Sequence, residues 1–173
     1  GTAFEMAEEL IQILEDIVDK NPDKFRLVKS PEEITNDKDV MQVVYGMENG
    51  APIESKLSNI KLFSDMGINY ITLAHSKSNH ISDSSYDENK NWGGLSPFGR
   101  KVVAEMNKQG VMIDISHVSD AAFYEVLRLT KTPVIASHSS LRYFVPGFER
   151  NVSDDMLREL AKNEGVIQIC FGS

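Results

Sequence analysis

The sequence predicts an α/β fold in which parallel strands alternate with helices. Three short runs, "INYITLAH", "VMIDISH" and "PVIASHSS", are nearly continuous in apolar residues up to their last few positions, as strands buried on both faces are. The stretches between them place apolar residues at helical spacing. A third observation is the repetition itself, because strand and helix alternate along most of the chain.

The elements follow one another in a simple order. A first helix, "AFEMAEELIQILEDIVDKNPDKF", ends at Asn21 and Pro22, and the weak strand "FRLV", a short helical turn and the strand "DVMQVVYG" come next. Helices and strands then alternate. The predicted helices are "IESKLSNIKLFSDMG", "PFGRKVVAEMNKQG", "SDAAFYEVLRLTK" with Ser119 as N-cap and "SDDMLRELAKNEG" with Ser153 as N-cap. The predicted strands are "INYITLAH", which the long polar loop "SKSNHISDSSYDENKNWGGLS" follows, "VMIDISH", "PVIASHSS" and "VIQICFGS".

Two layouts fit this order, an open doubly wound sheet and a (β/α)₈ barrel. The chain has 173 residues, with five strong strands and one weak strand. A closed barrel needs eight strands and typically about 250 residues. A barrel would therefore be partial, and we expect residues 1–173 to form one domain in either case.

Composition excludes several partners. The net charge of −8 and the lack of a Lys/Arg cluster argue against nucleic-acid binding. No run approaches the roughly 18 apolar residues of a transmembrane helix. The opening "GTAFEMAEEL" is acidic and does not resemble a signal peptide; the compartment, cytoplasmic, periplasmic or secreted, stays open. Cys170 is the single cysteine, so no internal disulfide is predicted.

Four polar side chains occupy equivalent places at the carboxyl ends of predicted strands. Glu48 follows "VVYGM", His75 follows "YITLA", His117 follows "VMIDIS" and His138 follows "PVIAS". In parallel α/β folds this edge is where ligands bind. A carboxylate with three neutral imidazoles is a metal-ligand set, for which zinc is the default. By position alone, one such histidine is more often structural; the fourth, His80, lies in the polar loop and is expected to be solvated.

Two further residues are candidates on the same rim. Arg150 follows the loop "YFVPGFE". Its planar guanidinium suits bidentate recognition of a carboxylate, or it could pair with nearby acids at the surface. Asp114 lies inside the apolar run "VMIDIS" and needs a partner there. It could orient a metal ligand or serve a purely structural hydrogen bond, and both interpretations stay open.

The chain resembles the membrane (renal-type) dipeptidases, metallopeptidase family M19. The stretches that carry the resemblance occur in the family's order and cover most of the chain from about residue 40: "GMENG", "YITLAHSKSNHISDS", "GGLSPFGRKVVAEMNKQGVMIDISHVSD", "PVIASHSS" and "RNVSDDMLRELAKNEGVIQI". The resemblance implies a partial TIM-like (β/α)₈ barrel with about five or six of the eight βα units. It also implies a zinc-dependent hydrolase of small dipeptides, with two zinc ions in the family.

Roles for single residues also follow from the resemblance. Glu48 is similar to the carboxylate that bridges the two zinc ions, and His117 and His138 to the other protein ligands of one of them. His75 is similar to a histidine that contacts substrate and binds no metal, although spacing alone would make it a third ligand. Arg150 is similar to the residue that holds the substrate's terminal carboxylate.

The chain also departs from the family pattern. The family carries a His-x-Asp pair at its first barrel strand, and none of the four histidines here has Asp two residues later. The family's late Asp, a proton shuttle, is also not matched. We therefore expect a central fragment with at most one well-supported zinc site and little activity alone. Its open strand edges could favour a homo-oligomer. The alternatives are a related metal-dependent amidohydrolase or lactonase, and a non-catalytic binding protein with a degenerate site.

Overall fold

Parallel strands and helices alternate in the computed structural model, which describes residues 1–171. The helices are α1 (Ala3–Asp19), α2 (Ser58–Asp65), α3 (Pro97–Gln109), α4 (Asp120–Leu129) and α5 (Asp154–Lys162). The strands are β1 (Phe25–Leu27), β2 (Met41–Val43), β3 (Tyr45–Glu48), β4 (Ile68–Thr72), β5 (Met112–Asp114), β6 (Ile135–Ser139) and β7 (Val166–Ile169). Short 3₁₀ turns cover Pro31–Glu33 and Ala51–Ile53.

The main sheet has five strands in the order β3-β4-β5-β6-β7, and all neighbours pair in parallel. Parallel pairing between consecutive strands requires a crossover, which α2, α3, α4 and α5 supply in turn. The predicted α/β fold with parallel strands is therefore confirmed. Because every strand runs the same way, the carboxyl ends of all five lie along one edge.

One predicted strand is divided in two. Met41–Val43 pairs with Phe25–Leu27 in a separate two-stranded sheet, whereas Tyr45–Glu48 pairs with β4. Val44 lies between them and belongs to neither strand. The apolar run "MQVVYGM" contains no turn residue at that point, so the change of pairing partner could not be located from the pattern.

Local signals account for the ends of α3. Ser96 caps the helix, with its hydroxyl accepting from the Gly99 backbone at 2.8 Å, and Pro97 takes the first turn, where its missing N–H is harmless. Gly110 ends the helix with φ of 72°, a left-handed conformation that glycine adopts easily. Three side chains of one face, Val102, Val103 and Met106, are buried in the core with strand residues such as Ile71 and Ile113.

The long polar loop after β4 is organised around one carboxylate. Asp83 is fully buried and accepts hydrogen bonds from the backbone N–H groups of Asn91 (2.7 Å), Trp92 (3.1 Å) and Gly94 (3.0 Å). Its own carbonyl accepts from the backbone of Ser119, the N-cap of α4. The loop is therefore fixed against the edge of the sheet that carries the polar side chains.

Within residues 1–171 no helix is both long enough and apolar enough to cross a membrane.

Candidate metal centre

The carboxylate of Glu48 is the point on which three histidines converge. Glu48 is the last residue of β3, and its Oε1 atom lies 2.8 Å from His138 Nε2, 3.1 Å from His117 Nε2 and 3.4 Å from His75 Nε2. The histidines come from β6 and from the segments that follow β5 and β4. Parallel pairing of these strands brings residues far apart in sequence to one oxygen atom.

His117 is held by its backbone and by burial. It has φ of 67°, in the left-handed region that side chains other than glycine rarely adopt, and only 7% of its surface is exposed. Its ring centroid lies 4.3 Å from that of His75 and 4.8 Å from that of His138. Backbone conformations of this kind are retained where the surrounding structure enforces them, often at functional sites.

The environment of His117 favours the neutral imidazole. The pKa of His117 is lowered to about 4, chiefly by burial and then by the positive charge of Arg150 and the neighbouring His75 and His138, against an upward effect of Glu48. At neutral pH the ring therefore carries no charge. Neutral imidazole is also the form that binds metal ions.

The guanidinium of Arg150 lies beside the histidines. It donates to Ser139 Oγ at 2.7 Å and to the carbonyl of His138, and its Nη2 atom lies 3.2 Å from His117 Nε2. Burial lowers the pKa of this group relative to a free arginine. The side chain is half-buried and lines the cleft that contains Glu48 and the histidines.

Arg142 fixes the chain on both sides of Arg150. Its guanidinium forms a bidentate ion pair with Asp120, with distances of 2.6 and 2.7 Å. The same group donates to the carbonyl of Glu149 at 3.0 Å and to the carbonyl of Asn151 at 2.7 Å. The residues directly before and after Arg150 are thus tied to the first turn of α4.

A cleft of about 280 Å³ opens over this cluster. Tyr86 from the long loop and Phe148 from the loop before Arg150 form one wall, with ring centroids 5.9 Å apart. Tyr86 also lies 5.9 Å from the ring of His117. A larger cavity of about 690 Å³ between α1, β1 and Tyr45 contains none of the histidines.

The structure brings the five site residues predicted from sequence close together: Glu48, His75, His117, His138 and Arg150. His75 is not separated from the candidate ligands: its ligand atoms and those of Glu48 and His117 lie within 4.8 Å of one another. His138 Nε2 lies closer still to the two others, at 2.7 Å from His117 and 2.8 Å from Glu48. The division into metal ligands and a substrate-contacting histidine therefore stays a prediction.

The expectation that His80 is solvated is wrong. Its ring packs against Phe98 with centroids 5.5 Å apart, and its Nε2 atom is buried without a hydrogen-bond partner among the described residues. Burial lowers the pKa of His80. The polar composition of the loop was misleading because the loop folds back over the core at Ile81, which is fully buried.

Sequence reasoning did not identify Ser137, Arg142, Tyr86 or Phe148 as parts of the rim. Ser137 gave a local signal, since it precedes His138 directly. Arg142, Tyr86 and Phe148 lie in loops, whose paths are not encoded by a periodic pattern.

The donor set fits a divalent metal ion. One carboxylate oxygen and three imidazole nitrogens are typical ligands of zinc and related metals. The buried Nδ1 atom of His117 has no hydrogen-bond partner among the described residues, so the Nε2 side of the ring makes the polar contacts. The geometry and the chemistry agree on a cation site between Glu48 and the histidines.

These features place the chain in the class of α/β proteins that present metal ligands at the carboxyl ends of parallel strands. The sequence profile of the membrane dipeptidases (Peptidase family M19) matches residues 1–173, and the chain belongs to that family. The resemblance carried by the sequence motifs is confirmed. Within the chain, Glu48, His75 and His117 form a candidate metal site.

Three similar proteins illustrate the relationship. Dipeptidase tcpJ of Claviceps purpurea is 42% identical over 126 residues, which are 73% of this chain and 29% of that protein. Dipeptidase 3 of Homo sapiens is 34% identical over 172 residues, 97% of this chain and 35% of that protein. The crystal structure of an amidohydrolase from Pseudomonas aeruginosa superposes with a TM-score of 0.89 and 28% identity, covering 96% of this chain and 50% of the other.

The chain thus spans about a third of the length of the curated relatives it matches. Its fold superposes on half of a solved amidohydrolase chain, and the prediction of a partial TIM-like (β/α)₈ barrel is confirmed.

Proposed function

We propose that the protein is a zinc-dependent dipeptidase and that this chain contributes a zinc site and a substrate anchor. The observation that carries the proposal is the convergence of His75, His117 and His138 on one oxygen of Glu48 in a member of the membrane dipeptidase family. Relatives named as dipeptidases support dipeptides as the substrate class.

Glu48, His117 and His138 would hold the metal, with Glu48 also able to bridge to a second ion. Zinc, when bound, supplies Lewis-acid polarisation of the scissile carbonyl and lowers the pKa of the attacking water. The side chain of Glu48 is 51% exposed, so its carboxylate would be accessible to a second ion. In its neutral state His117 has one ring nitrogen with a free lone pair, and the Nη2 donor of Arg150, 3.2 Å from Nε2, favours that nitrogen.

Arg150 and His75 would act on the substrate. The guanidinium of Arg150 is suited to bidentate contact with the terminal carboxylate of a dipeptide, and its contact with Ser139 holds it at the rim. His75 has a half-exposed ring beside Glu48, from which an N–H can donate to the oxyanion of a tetrahedral intermediate. This division assigns His75 to catalysis rather than to metal binding.

Competition with a chromophoric zinc chelator tests the site in the purified chain. Wild type should compete for zinc, and Glu48→Gln, His117→Ala and His138→Ala should each weaken binding at least tenfold. His80→Ala is the matched control. It removes a half-buried imidazole of the long loop after β4 that is not among the candidate ligands, and it should bind zinc like wild type. Unchanged affinity in both His117→Ala and His138→Ala would refute the ligand assignment.

The substrate class is tested by hydrolysis assays with zinc present. Dipeptides with L- or D-residues at the second position are compared with lactones and with dipeptide amides, which lack the free carboxylate. The proposal is supported if wild type hydrolyses dipeptides faster than dipeptide amides and Arg150→Met does not show this preference. Hydrolysis of lactones alone would exclude a dipeptidase. Because we expect residues 1–173 to have little activity alone, zinc binding without hydrolysis of any substrate would support the metal site only.

We also propose that the chain self-associates. Strands β3 and β7 end the five-stranded sheet, and several apolar side chains of α1 and β7 are exposed (Met6, Leu10, Ile13, Leu14, Ile17, Val166 and Ile169). Open parallel edges and apolar surface favour pairing with another chain. Sedimentation velocity should show a concentration-dependent increase in mass, and a monomer at all concentrations would contradict this.

A further inference from the structure

Asp114 joins three neighbouring strands beneath the histidine cluster. The carboxylate is fully buried, and each oxygen accepts two hydrogen bonds. Oδ2 accepts from the hydroxyls of Thr72 and Ser137, both at 2.6 Å, and Oδ1 accepts from the backbone N–H groups of Ser116 and Ser137, both at 3.0 Å. All four contacts come from donors, so the carboxylate is a pure acceptor here.

The hydroxyl of Ser137 connects this carboxylate to a histidine. Its oxygen lies 2.6 Å from Asp114 Oδ2 and 2.7 Å from His138 Nδ1. A serine has one hydroxyl hydrogen, and Asp114 can only accept, so that hydrogen lies on the bond to Asp114. The serine oxygen then has lone pairs left and accepts the Nδ1–H of His138.

This arrangement places a hydrogen on Nδ1 of His138. Nε2 is then the nitrogen whose lone pair is left for a metal ion. That atom lies 2.8 Å from Glu48 Oε1 and 2.7 Å from His117 Nε2, inside the candidate metal centre. We propose that Asp114 and Ser137 are positioning residues that hold His138 in the Nδ1–H tautomer and aim its Nε2 lone pair at the metal. The inference rests on the proposed function, since it assigns His138 a metal to bind.

The other two histidines do not share this support. His117 has no hydrogen-bond partner at Nδ1 among the described residues and is fixed by its backbone and by burial. His75 Nδ1 contacts the exposed hydroxyl of Ser76 at 2.9 Å. His138 has a side chain that is 34% exposed, so burial alone does not fix its ring. Its orientation therefore depends on the hydrogen bond to Ser137.

The tautomer can be measured directly in the zinc-free protein. Nitrogen-15 chemical shifts and two-bond couplings of the imidazole rings report which nitrogen carries hydrogen. We expect His138 to carry hydrogen on Nδ1 in wild type, whether or not Nε2 is also protonated against Glu48, and to lose this preference in Ser137→Ala. A wild-type ring with hydrogen on Nε2 and none on Nδ1 overturns the inference without any substitution, whether or not the chain binds zinc.

Zinc affinity, measured by chelator competition, gives the second readout. Ser137→Ala should bind zinc about 10- to 100-fold more weakly, the usual cost of removing a group that orients a ligand. Ser137→Thr keeps the hydroxyl and should restore affinity. Thr72→Val is the matched control: it removes a hydroxyl from the same oxygen of Asp114 but leaves the link to His138, so zinc affinity should stay within a few fold of wild type.

The outcomes separate this inference from the proposed function. A wild-type chain that binds no zinc, with His138 in the Nδ1–H form, contradicts the proposed metal site and leaves the hydrogen-bonded link supported. Zinc binding by wild type and equally by Ser137→Ala refutes the link and leaves the metal site supported. Equal losses in Ser137→Ala and Thr72→Val would show that Asp114 stabilises only the strands.

Discussion

The Nε2 atoms of His117 and His138 lie 2.7 Å apart, and both lie within 3.1 Å of the same oxygen of Glu48. Ser137 contacts Nδ1 of His138 and leaves Nε2 for this space, and the lowered pKa of His117 keeps the His117 ring neutral. The polar atoms that meet here carry more lone pairs than hydrogens. A cation placed among them relieves the mismatch, which links metal binding to the stability of the fold.

Zinc should therefore stabilise the chain against unfolding. A ligand that binds only the folded state at 100 times its dissociation constant adds about 2.7 kcal/mol to the free energy of unfolding. Urea titrations with and without zinc measure the effect. It should disappear in His138→Ala and persist in the control variant His80→Ala. Equal zinc stabilisation in both variants would place the metal elsewhere.

Acid should destabilise the zinc-free protein as the pH falls below about 6.5. The pKa of His117 falls from 6.5 to about 4 on folding, and burial also lowers that of His80. Between these values the unfolded chain binds protons that the folded chain does not. The stability contributed by the neutral His117 ring is full above pH 6.5 and is lost as the pH falls toward 4.

Urea unfolding in the presence of a chelator, from pH 7.5 to 4.5, checks this. One differential proton gives a slope of about 1.4 kcal/mol per pH unit. His117→Gln should reduce the slope below pH 6.5, and its free energy of unfolding should not follow the wild-type decline. Parallel curves for the two proteins would show that His117 does not resist protonation in the folded state.

Arg142 should control the order of the loop that carries Arg150. In Arg142→Lys the bidentate pair with Asp120 and the contacts with the carbonyls of Glu149 and Asn151 cannot all be kept. We expect a loss of about 2 kcal/mol in unfolding free energy, since these bonds are charge-assisted and partly buried. Amide hydrogen exchange in residues 141–152 should accelerate.

A matched variant separates this effect from loss of an arginine in general. Arg158→Lys alters an exposed ion pair with Asp155 on α5 and should change stability by less than about 0.5 kcal/mol. Exchange in residues 141–152 should then match wild type. If Arg142→Lys behaves like Arg158→Lys, the loop is ordered by other contacts.

Strand and helix periodicity was sufficient to predict the parallel sheet and the rim. Glu48, His75, His117 and His138 each follow a buried apolar run, and parallel strands bring such positions together whatever path the loops take.

The path of the loops was not predictable from periodicity. His80 is half-buried rather than solvated, and Arg142 reaches Asp120 through contacts made only after folding. Position alone also cannot tell whether His75 binds metal or substrate, because it lies 3.4 Å from Glu48 in either role.

The long loop after β4 should lose its structure when Asp83 is changed to Asn. Both carboxylate oxygens accept from backbone N–H groups, among them those of Asn91 and Gly94. The side-chain NH₂ group of asparagine would face one of these backbone N–H groups, so that two donors would meet at a fully buried position. We expect a loss of about 3 kcal/mol and faster exchange of the amides at 91, 92 and 94. Asp65→Asn, which alters an exposed partner of Lys61 on α2, is the control, and its unfolding free energy should lie within about 0.5 kcal/mol of wild type.

Asp83→Asn should also bind zinc more weakly, because the Asp83 carbonyl accepts from the backbone of Ser119, two residues after His117. Normal zinc affinity with a disordered loop would show that the histidine cluster is held by the sheet alone.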